Sequence, residues 1–516
     1  MKLITPRTLL LSAGLLMLSS CSQENAVATV DFGDSSWLIE NADIYDGSGG
    51  NHFSGDLRII DGIIIEVGDL TPKDGEKTWD ASGFVLSPGF IDPHSHADSK
   101  LMDKPASASL LAQGITTIVS GLDGFLSKFG EPFVSVADNM AHFEKNPAAV
   151  NLAIFGPHNT YRAEVMGDDY KRLATAAEIE QMKALLARDM SAGALGLGAG
   201  LEYEPAIYSS TDEIVELAKV ASEFGGRYSS HIRSEDVSVT EAFEEVVIIA
   251  REANVPVNIS HVKLAITTLY GASTEFLANL DTARQEGLDI TADIYPYDGW
   301  QSTLAILIPS RDYEDREAAE YALNSLSPPH TIMFSNYEKD PSYVGKTLEE
   351  VALAENIDPV DLLMNLLQTA DKEGKSISII GRNINDEDIL TFMRWPHTAI
   401  TTDGAIDDRH PRGQGTYPRV LGRYVRENGH LSLTNAIQKM TSQAAKNLGF
   451  KDRGLIKEGY IADLVVFNKD TIIDHATFDD PLQYSSGIKA VWVGGQLVWE
   501  NDVETGARPG IIIKRE

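Results

Sequence analysis

Pro88-Gly-Phe-Ile-Asp-Pro-His-Ser-His96 closes a short apolar run with two imidazoles two residues apart. Side chains at i and i+2 of a strand point to the same side, so a strand ending in His94 and His96 aims two nitrogen ligands at one point. Neutral imidazole is a common ligand of zinc and similar divalent ions. The stretch predicts half of a metal site. Histidines at a strand end also cap loops by hydrogen bonding to carbonyls, so the reading needs further ligands.

Working outward, apolar or β-branched runs recur at 116–121, 151–155, 193–198, 227–231, 256–261, 289–294 and 398–402. Helix-like stretches lie between several of them, at 178–190 and 211–224. The second is opened by Ser210 with Glu213 three residues on, the spacing of a capping box. Eight strand candidates alternating with helices predict a (β/α)8 TIM-type barrel, an α/β fold in which strand ends converge on one face. The runs end in His94 and His96, then Asp123, His231, His261 and Asp403. One at a time, Asp before Gly is a turn signal and a lone histidine is a core residue. Together, and in strand order, they predict a metal centre of one or two divalent ions.

With such a centre the chemistry can be stated. A bound divalent ion makes water a nucleophile at neutral pH and polarises a carbonyl. A carboxylate must then take the proton of that water and deliver one to the departing amine, and Asp403 is the choice for this shuttle.

The order His94-x-His96, Gly-Leu-Asp123-Gly, Gly-Leu-Glu-Tyr203, Ser-His-Ile-Arg233, Ile-Ser-His-Val-Lys263, Asp-Ile-Tyr-Pro-Tyr297, Thr-Asp-Gly404 and the run 453–467 resembles the amidohydrolase superfamily, specifically the N-acyl-D-amino-acid deacylases or D-aminoacylases. The resemblance implies zinc held by His94, His96, His231, His261 and Asp403, and hydrolysis of N-acyl-D-amino acids to a D-amino acid and a carboxylate. Many D-aminoacylases carry a metal-binding Cys where this chain has Asp123, and other members use a bridging lysine on the fourth strand. The single cysteine is Cys21, and 193–203 contains no lysine, which leaves Asp123 as the bridging ligand. Lys263, on the same side of its strand as His261, and Tyr295 are expected to hold the substrate carboxylate, with Arg382 a weaker candidate; 409–412 reads as a loop. Two other readings share these residues: hydrolysis of another amide, such as a D-configured or isoaspartyl dipeptide or a cyclic amide, and an inactive ligand-binding lipoprotein.

Both flanks are strand-rich. Residues 37–85 include a hairpin at Asp61-Gly62, and 455–516 include one at Gly494-Gly495. The two ends are expected to build one small β-sandwich beside a barrel spanning 86–454. The stretch 300–394 is too long for a loop and predicts a folded insertion over the pocket.

At the N-terminus, Lys2 and Arg7 precede the apolar run 9–18 and Leu-Ser-Ser-Cys21, the form of a lipoprotein signal peptide with Cys21 as the acylated residue. Residues 21–36 then form a tether, and the expected address is the periplasmic face of the outer membrane. With 43 basic and 76 acidic residues the formal charge is -33, and loss of 1–20 deepens it by two. Such acidity argues against nucleic acid or anionic membrane surfaces as partners, so that membrane contact is expected through the lipid only. Glycine-rich 193–200 lacks the Lys-Ser/Thr of a phosphate-binding loop and is expected to serve close packing in strand four.

Overall fold

Residues 36–126 and 134–515 are described by the computed structural model. The expected signal peptide, Cys21 and nearly all of the tether lie outside these residues.

The chain begins with β1 (Ser36–Ile44), β2 (Phe53–Ile60), β3 (Ile63–Gly68), β4 (Lys77–Asp80) and β5 (Val85–Pro88). Alternation of apolar and polar residues along β1 and β2 buries Ile39, Leu57 and Ile59 on one face. Asp61-Gly62 turns β2 into β3, with Ile60 facing Ile63 across the hairpin. A central run follows: β6 (Phe90–Asp92), β7 (Ile115–Ser120), β8 (Asn151–Ile154), β9 (Gly156–Pro157), β10 (Gly196–Gly200), β11 (Arg227–His231), β12 (Val257–Ile259) and β13 (Ile290–Ile294). Then come β14 (Trp300–Thr303), β15 (Ile332–Asn336), β16 (Ser378–Gly381), β17 (Thr398–Ile400), β18 (Leu464–Phe467), β19 (Ile488–Val493), β20 (Gln496–Glu500) and β21 (Val503–Glu504).

Four sheets result. Strands β6, β7 and β8 are parallel, and so are β9 to β13 with β17. The two parallel sheets meet at both margins: Leu195 N donates to Ile154 O at 2.9 Å, while Asp403 N donates to His94 O and His96 N to Gly404 O, both at 2.9 Å. Helices connect the parallel strands. The helix Ala176–Ala192 opens on a complete capping box between Thr175 and Glu178. The helix Thr211–Glu223 does not. Ser210 caps it by accepting from Glu213 N, but the Glu213 side chain turns into the core, where His158 and Arg162 bind it.

Two other expectations are corrected. His94 and His96 are not strand residues: β6 ends at Asp92, since Pro93 has no N–H to continue the ladder, and both histidines sit in the loop beyond it. Strand four runs three residues later than its apolar start suggested, because Gly193 is the left-handed C-cap of the preceding helix.

Both chain ends share one nine-stranded mixed sheet, ordered β21-β20-β19-β18-β5-β1-β2-β3 with β4 beside β1. Its seam is the antiparallel pair β5 and β18, Val85 opposite Phe467 and Pro88 opposite Leu464. Trp492 is fully buried there, edge-on to Trp37 at 5.9 Å and to Trp79 at 5.8 Å. The stretch between β13 and β17 is folded, with an antiparallel sheet ordered β14-β16-β15 and the helix Pro359–Glu373.

Candidate metal centre

The ligand candidates converge where the parallel strands end. Asp92, the last residue of β6, accepts from Thr401 Oγ1 at 2.7 Å and from Thr402 N at 2.8 Å, and Thr401 Oγ1 also reaches His94 O at 2.7 Å. That knot fixes the His94 loop against the Asp403 loop. Burial lifts the Asp92 carboxyl to about 6, against the pull of its threonine donors. Asp123 follows β7, and glycines of β10 make room for its loop: a Cβ at Gly198 would stand 2.3 Å from Gly121 O, and one at Gly200 would stand 2.4 Å from Asp123 O. Asp123, His261 and Asp403 all take positive φ, at 52°, 35° and 47°. Such backbone strain gathers at functional sites.

At the centre, His94 Nε2 lies 3.4 Å from Asp123 Oδ1 and 3.6 Å from Asp403 Oδ1. His96 Nε2 lies 3.4 Å from Asp123 Oδ2 and 3.2 Å from Asp403 Oδ1. His261 Nε2 lies 3.5 Å from Asp123 Oδ1, and His231 Nδ1 lies 3.2 Å from His261 Nε2. All six expected metal residues are therefore brought together, with Asp123 facing three imidazoles.

A metal fits these atoms on two counts. Both ring nitrogens of His94 and Oδ1 of Asp123 are buried without a hydrogen-bond partner, a state that costs about 1–3 kcal/mol per group. Moreover, two ligands about 2.05 Å from one tetrahedral ion stand about 3.3 Å apart, close to the spacings above and long for an ordinary hydrogen bond. The electrostatics agree. Burial opposes charge on His261, yet the carboxylates of Asp403, Glu235 and Asp123 lift it to about 10. Burial likewise opposes ionisation of Asp123 and Asp403, but the histidines hold Asp123 well below the usual range, and Arg412 with the histidines does so for Asp403. The pocket calls for positive charge at its centre.

Lys263 and Tyr295 flank this centre. Lys263 Nζ is buried, 2.5 Å from Glu235 Oε1. Tyr295 OH is buried without a hydrogen-bond partner, its ring covered by the Arg412 guanidinium at 4.7 Å. Arg382 stays outside: it pairs with Asp298 at 2.7 Å and packs on Phe478. Lys263, Tyr295, Asp403 and Arg412 line a cleft that Trp300, Ile306, Leu307 and Leu326 of the insertion line together with Ala265.

Three residues in the site had no role assigned from sequence. Arg412 binds Asp403 Oδ2 at 2.6 Å, although 409–412 reads as a loop; within that run His410 does turn away, to Gly299 O and Arg412 N. Glu202 lies 2.7 Å from His231 Nε2, and Glu235 lies 3.1 Å from His261 Nδ1. Glu202 stands in the Gly-Leu-Glu-Tyr203 motif, and Glu235 follows His231 by four residues.

Comparison with known proteins agrees with this geometry. The amidohydrolase family profile matches residues 374–499. The D-aminoacylase of Alcaligenes xylosoxydans xylosoxydans is 33% identical over 497 residues, covering 93% of this chain and 97% of that protein. The chain belongs to the D-aminoacylase family of amidohydrolases. The N-acyl-D-aspartate deacylase of the same organism is 34% identical over 510 residues, covering 95% of this chain and 96% of that one. Among solved structures, a D-aminoacylase described as defining a novel subset of amidohydrolases superposes with a TM-score of 0.84 at 32% identity, covering 93% of this chain and 99% of that one. An N-acyl-D-glutamate deacylase from Bordetella bronchiseptica, complexed with zinc and a phosphonate mimic of the tetrahedral intermediate, gives a TM-score of 0.84 at 31% identity, covering 93% and 100%. As a D-aminoacylase family member the chain is an amide-hydrolysing enzyme with an α/β fold of mixed sheets.

Proposed function

We propose that this protein is a zinc-dependent hydrolase that cleaves the amide of N-acyl-D-amino acids, releasing a D-amino acid and a carboxylate. The observation that carries the reading is the placement of the buried His/Asp centre beside a cationic wall of Lys263 and Arg412. An N-acyl amino acid presents a free carboxylate next to its scissile amide, which is what such a wall would receive. Relatives acting on D-aminoacyl, N-acyl-D-aspartate and N-acyl-D-glutamate substrates support the D configuration.

Zinc held by His94, His96, Asp123, His231, His261 and Asp403 would supply an acidified water and polarise the amide carbonyl. Asp403 takes the proton of the attacking water and returns it to the amide nitrogen as the C–N bond breaks. Arg412, on the far oxygen of Asp403, keeps that carboxylate ionised and aimed. Lys263 and the unpartnered hydroxyl of Tyr295 bind the substrate carboxylate. Asp123 turns Oδ1 toward His94 and His261 and Oδ2 toward His96, so it is the residue that would be shared if a second ion were held.

For the substrate side chain, the wall of Ala265, Trp300, Ile306, Leu307 and Leu326 supports a neutral apolar group. Among the described residues lining this cleft, the cations besides the histidines are Lys263 and Arg412, both assigned already, so within it a second carboxylate such as that of D-aspartate would meet no further cation; Lys171, Arg311 and Lys375 line the wider cavity that shares Asp403 and Arg412 with it.

The two parallel sheets are read as one (β/α)8 barrel, which the hydrogen bonds at both margins support. The nine-stranded sheet, with its own apolar core around Trp492, is read as the small β-sandwich. Export as a lipoprotein acylated at Cys21, on the periplasmic face of the outer membrane, rests on the N-terminal sequence alone; loss of fatty-acid labelling in Cys21→Ala tests it.

Amine release from N-acetyl-D- and N-acetyl-L-amino acids by the purified protein, with zinc determined on the same sample, tests the function. Hydrolysis of D-leucine or D-methionine derivatives is the expected result. Zinc without turnover of any of them moves the substrate to dipeptides or cyclic amides, and neither zinc nor turnover leaves only the inactive binding protein.

A further inference from the structure

His231 and His261 turn different nitrogens toward the centre, Nδ1 and Nε2 respectively. Each outer nitrogen meets a buried carboxylate: His231 Nε2 meets Glu202 at 2.7 Å, and His261 Nδ1 meets Glu235 at 3.1 Å. A neutral imidazole carries one proton, and the nitrogen bearing it has no lone pair for a metal. Which nitrogen carries the proton therefore decides whether the ring can act as a ligand.

At His261 that choice is contested. Lys263 Nζ lies 2.9 Å from the same Nδ1. An ammonium can only donate, so a hydrogen bond from Lys263 would make Nδ1 the acceptor and leave the ring proton on Nε2, pointing at the metal centre. Glu235 opposes this in two ways. Its Oε1 accepts from Nδ1–H, and the same oxygen draws the Lys263 ammonium to 2.5 Å. Among the described residues no ammonium competes with Glu202 at His231 Nε2, where Glu235 Oε2 is a further neighbour at 3.8 Å; the Tyr203 hydroxyl lies on the other nitrogen, 3.0 Å from Nδ1.

We propose that Glu235 is a positioning residue that selects the metal-binding tautomer of His261 against Lys263, so that the lysine serving the substrate does not disarm the ligand two residues before it. The inference rests on the metal reading above and deepens it: a single carboxylate lets substrate cation and metal ligand occupy adjacent positions. Partners of this kind typically change metal affinity by about 10- to 100-fold.

The test is the zinc dissociation constant, measured by competition with a chelator of known affinity on full-length protein. It would be run for wild type, Glu235→Gln, Glu235→Ala, Glu202→Ala, and the last two combined with Lys263→Met. Circular dichroism of the metal-free samples reports folding. Glu235→Ala should weaken zinc by at least about tenfold, and adding Lys263→Met should restore most of that loss, because the competing donor is gone. Glu202→Ala should weaken zinc with no restoration by Lys263→Met. Unchanged affinity in the Glu235 variants overturns the inference, and so does a loss that Lys263→Met leaves in place, which a merely structural carboxylate would give. Should Glu235→Ala not fold, Glu235→Gln with and without Lys263→Met carries the comparison. Wild type that holds no zinc at all defeats the metal reading instead.

Discussion

Asp403 is held from both sides: Arg412 lies 2.6 Å from its Oδ2, while its Oδ1 faces His96 at 3.2 Å. The oxygen turned to the histidines is positioned for the metal and the one turned to Arg412 is anchored, so the carboxylate has one orientation and one charge state across neutral pH.

Removing that carboxylate should abolish proton transfer. Asp403→Asn is expected to lower kcat by about 100- to 10,000-fold, the usual contribution of a positioned acid or base. Steady-state kinetics on an N-acetyl-D-amino acid checks this, and retention of more than a tenth of the wild-type rate would contradict the assigned shuttle.

Arg412→Met should move the acid side of the pH profile. Arg412 is the largest influence lowering the Asp403 pKa against burial, so its loss raises that pKa, and the base becomes protonated at a higher pH than in wild type. The acid limb of kcat/KM should therefore shift upward in pH. At neutral pH activity should fall by about 10- to 100-fold, the equivalent of one charge-assisted hydrogen bond.

Asp123 offers a test by metal softness. Asp123→Ala removes the residue that three imidazoles face and should weaken zinc by more than about tenfold. Asp123→Cys, which puts a thiolate in its place, should bind zinc at least as tightly as wild type. Equal zinc content in all three proteins under chelator competition would remove Asp123 from the ligand set.

Zinc should also stabilise the fold. Dialysis against a chelator is expected to abolish turnover and lower Tm, with both restored by zinc. Metal at about 100 times its Kd contributes about 2.7 kcal/mol to a protein that binds it only when folded. Calorimetry with and without metal reads the difference.

Away from the site, Glu213 neutralises a buried Arg162 and bonds His158. Glu213→Gln should destabilise by about 3–5 kcal/mol, the cost of stranding a buried charge. Burial raises the Glu213 pKa, but His158 and Arg162 outweigh it and the net shift is downward from 4.5. A lowered folded-state pKa contributes stability above about 4.5 that is lost as pH falls through the folded value. Urea unfolding between pH 7 and pH 3 should show wild type and variant converging at the acid end.

Much of the centre was legible because strand ends in an alternating α/β chain fall on one face, so His231, His261 and Asp403 could be gathered from order alone. Lys263 and Tyr295 followed from their closeness to those positions. Arg412 was not legible: it opens the helix Arg412–Arg419, and its reach to Asp403 depends on how the intervening residues fold back, for which no periodicity speaks. Glu202 and Glu235 sat inside quoted or neighbouring motifs, but a carboxylate that acts on the outer nitrogen of a ligand leaves no spacing of its own. Arg382 shows the converse, since a cation between two elements of an insertion is as easily claimed by Asp298 as by a substrate. The Pro93 break was visible in the sequence and outweighed the i, i+2 pattern that the two histidines suggest.

The pairing of β5 with β18 joins positions about 380 residues apart along the chain. While the polypeptide is being made, the β5 edge of the N-terminal sheet must wait for strands that are among the last to emerge. Until then its unpaired amides and carbonyls are open to other chains. The centre that depends on Gly-Phe-Ile-Asp92 directly after β5 is thereby tied to completion of synthesis, and a chain cut short before Leu464 would carry all six ligands yet lack β18 to β21, the half of the sheet that pairs with β5 just ahead of the first of them.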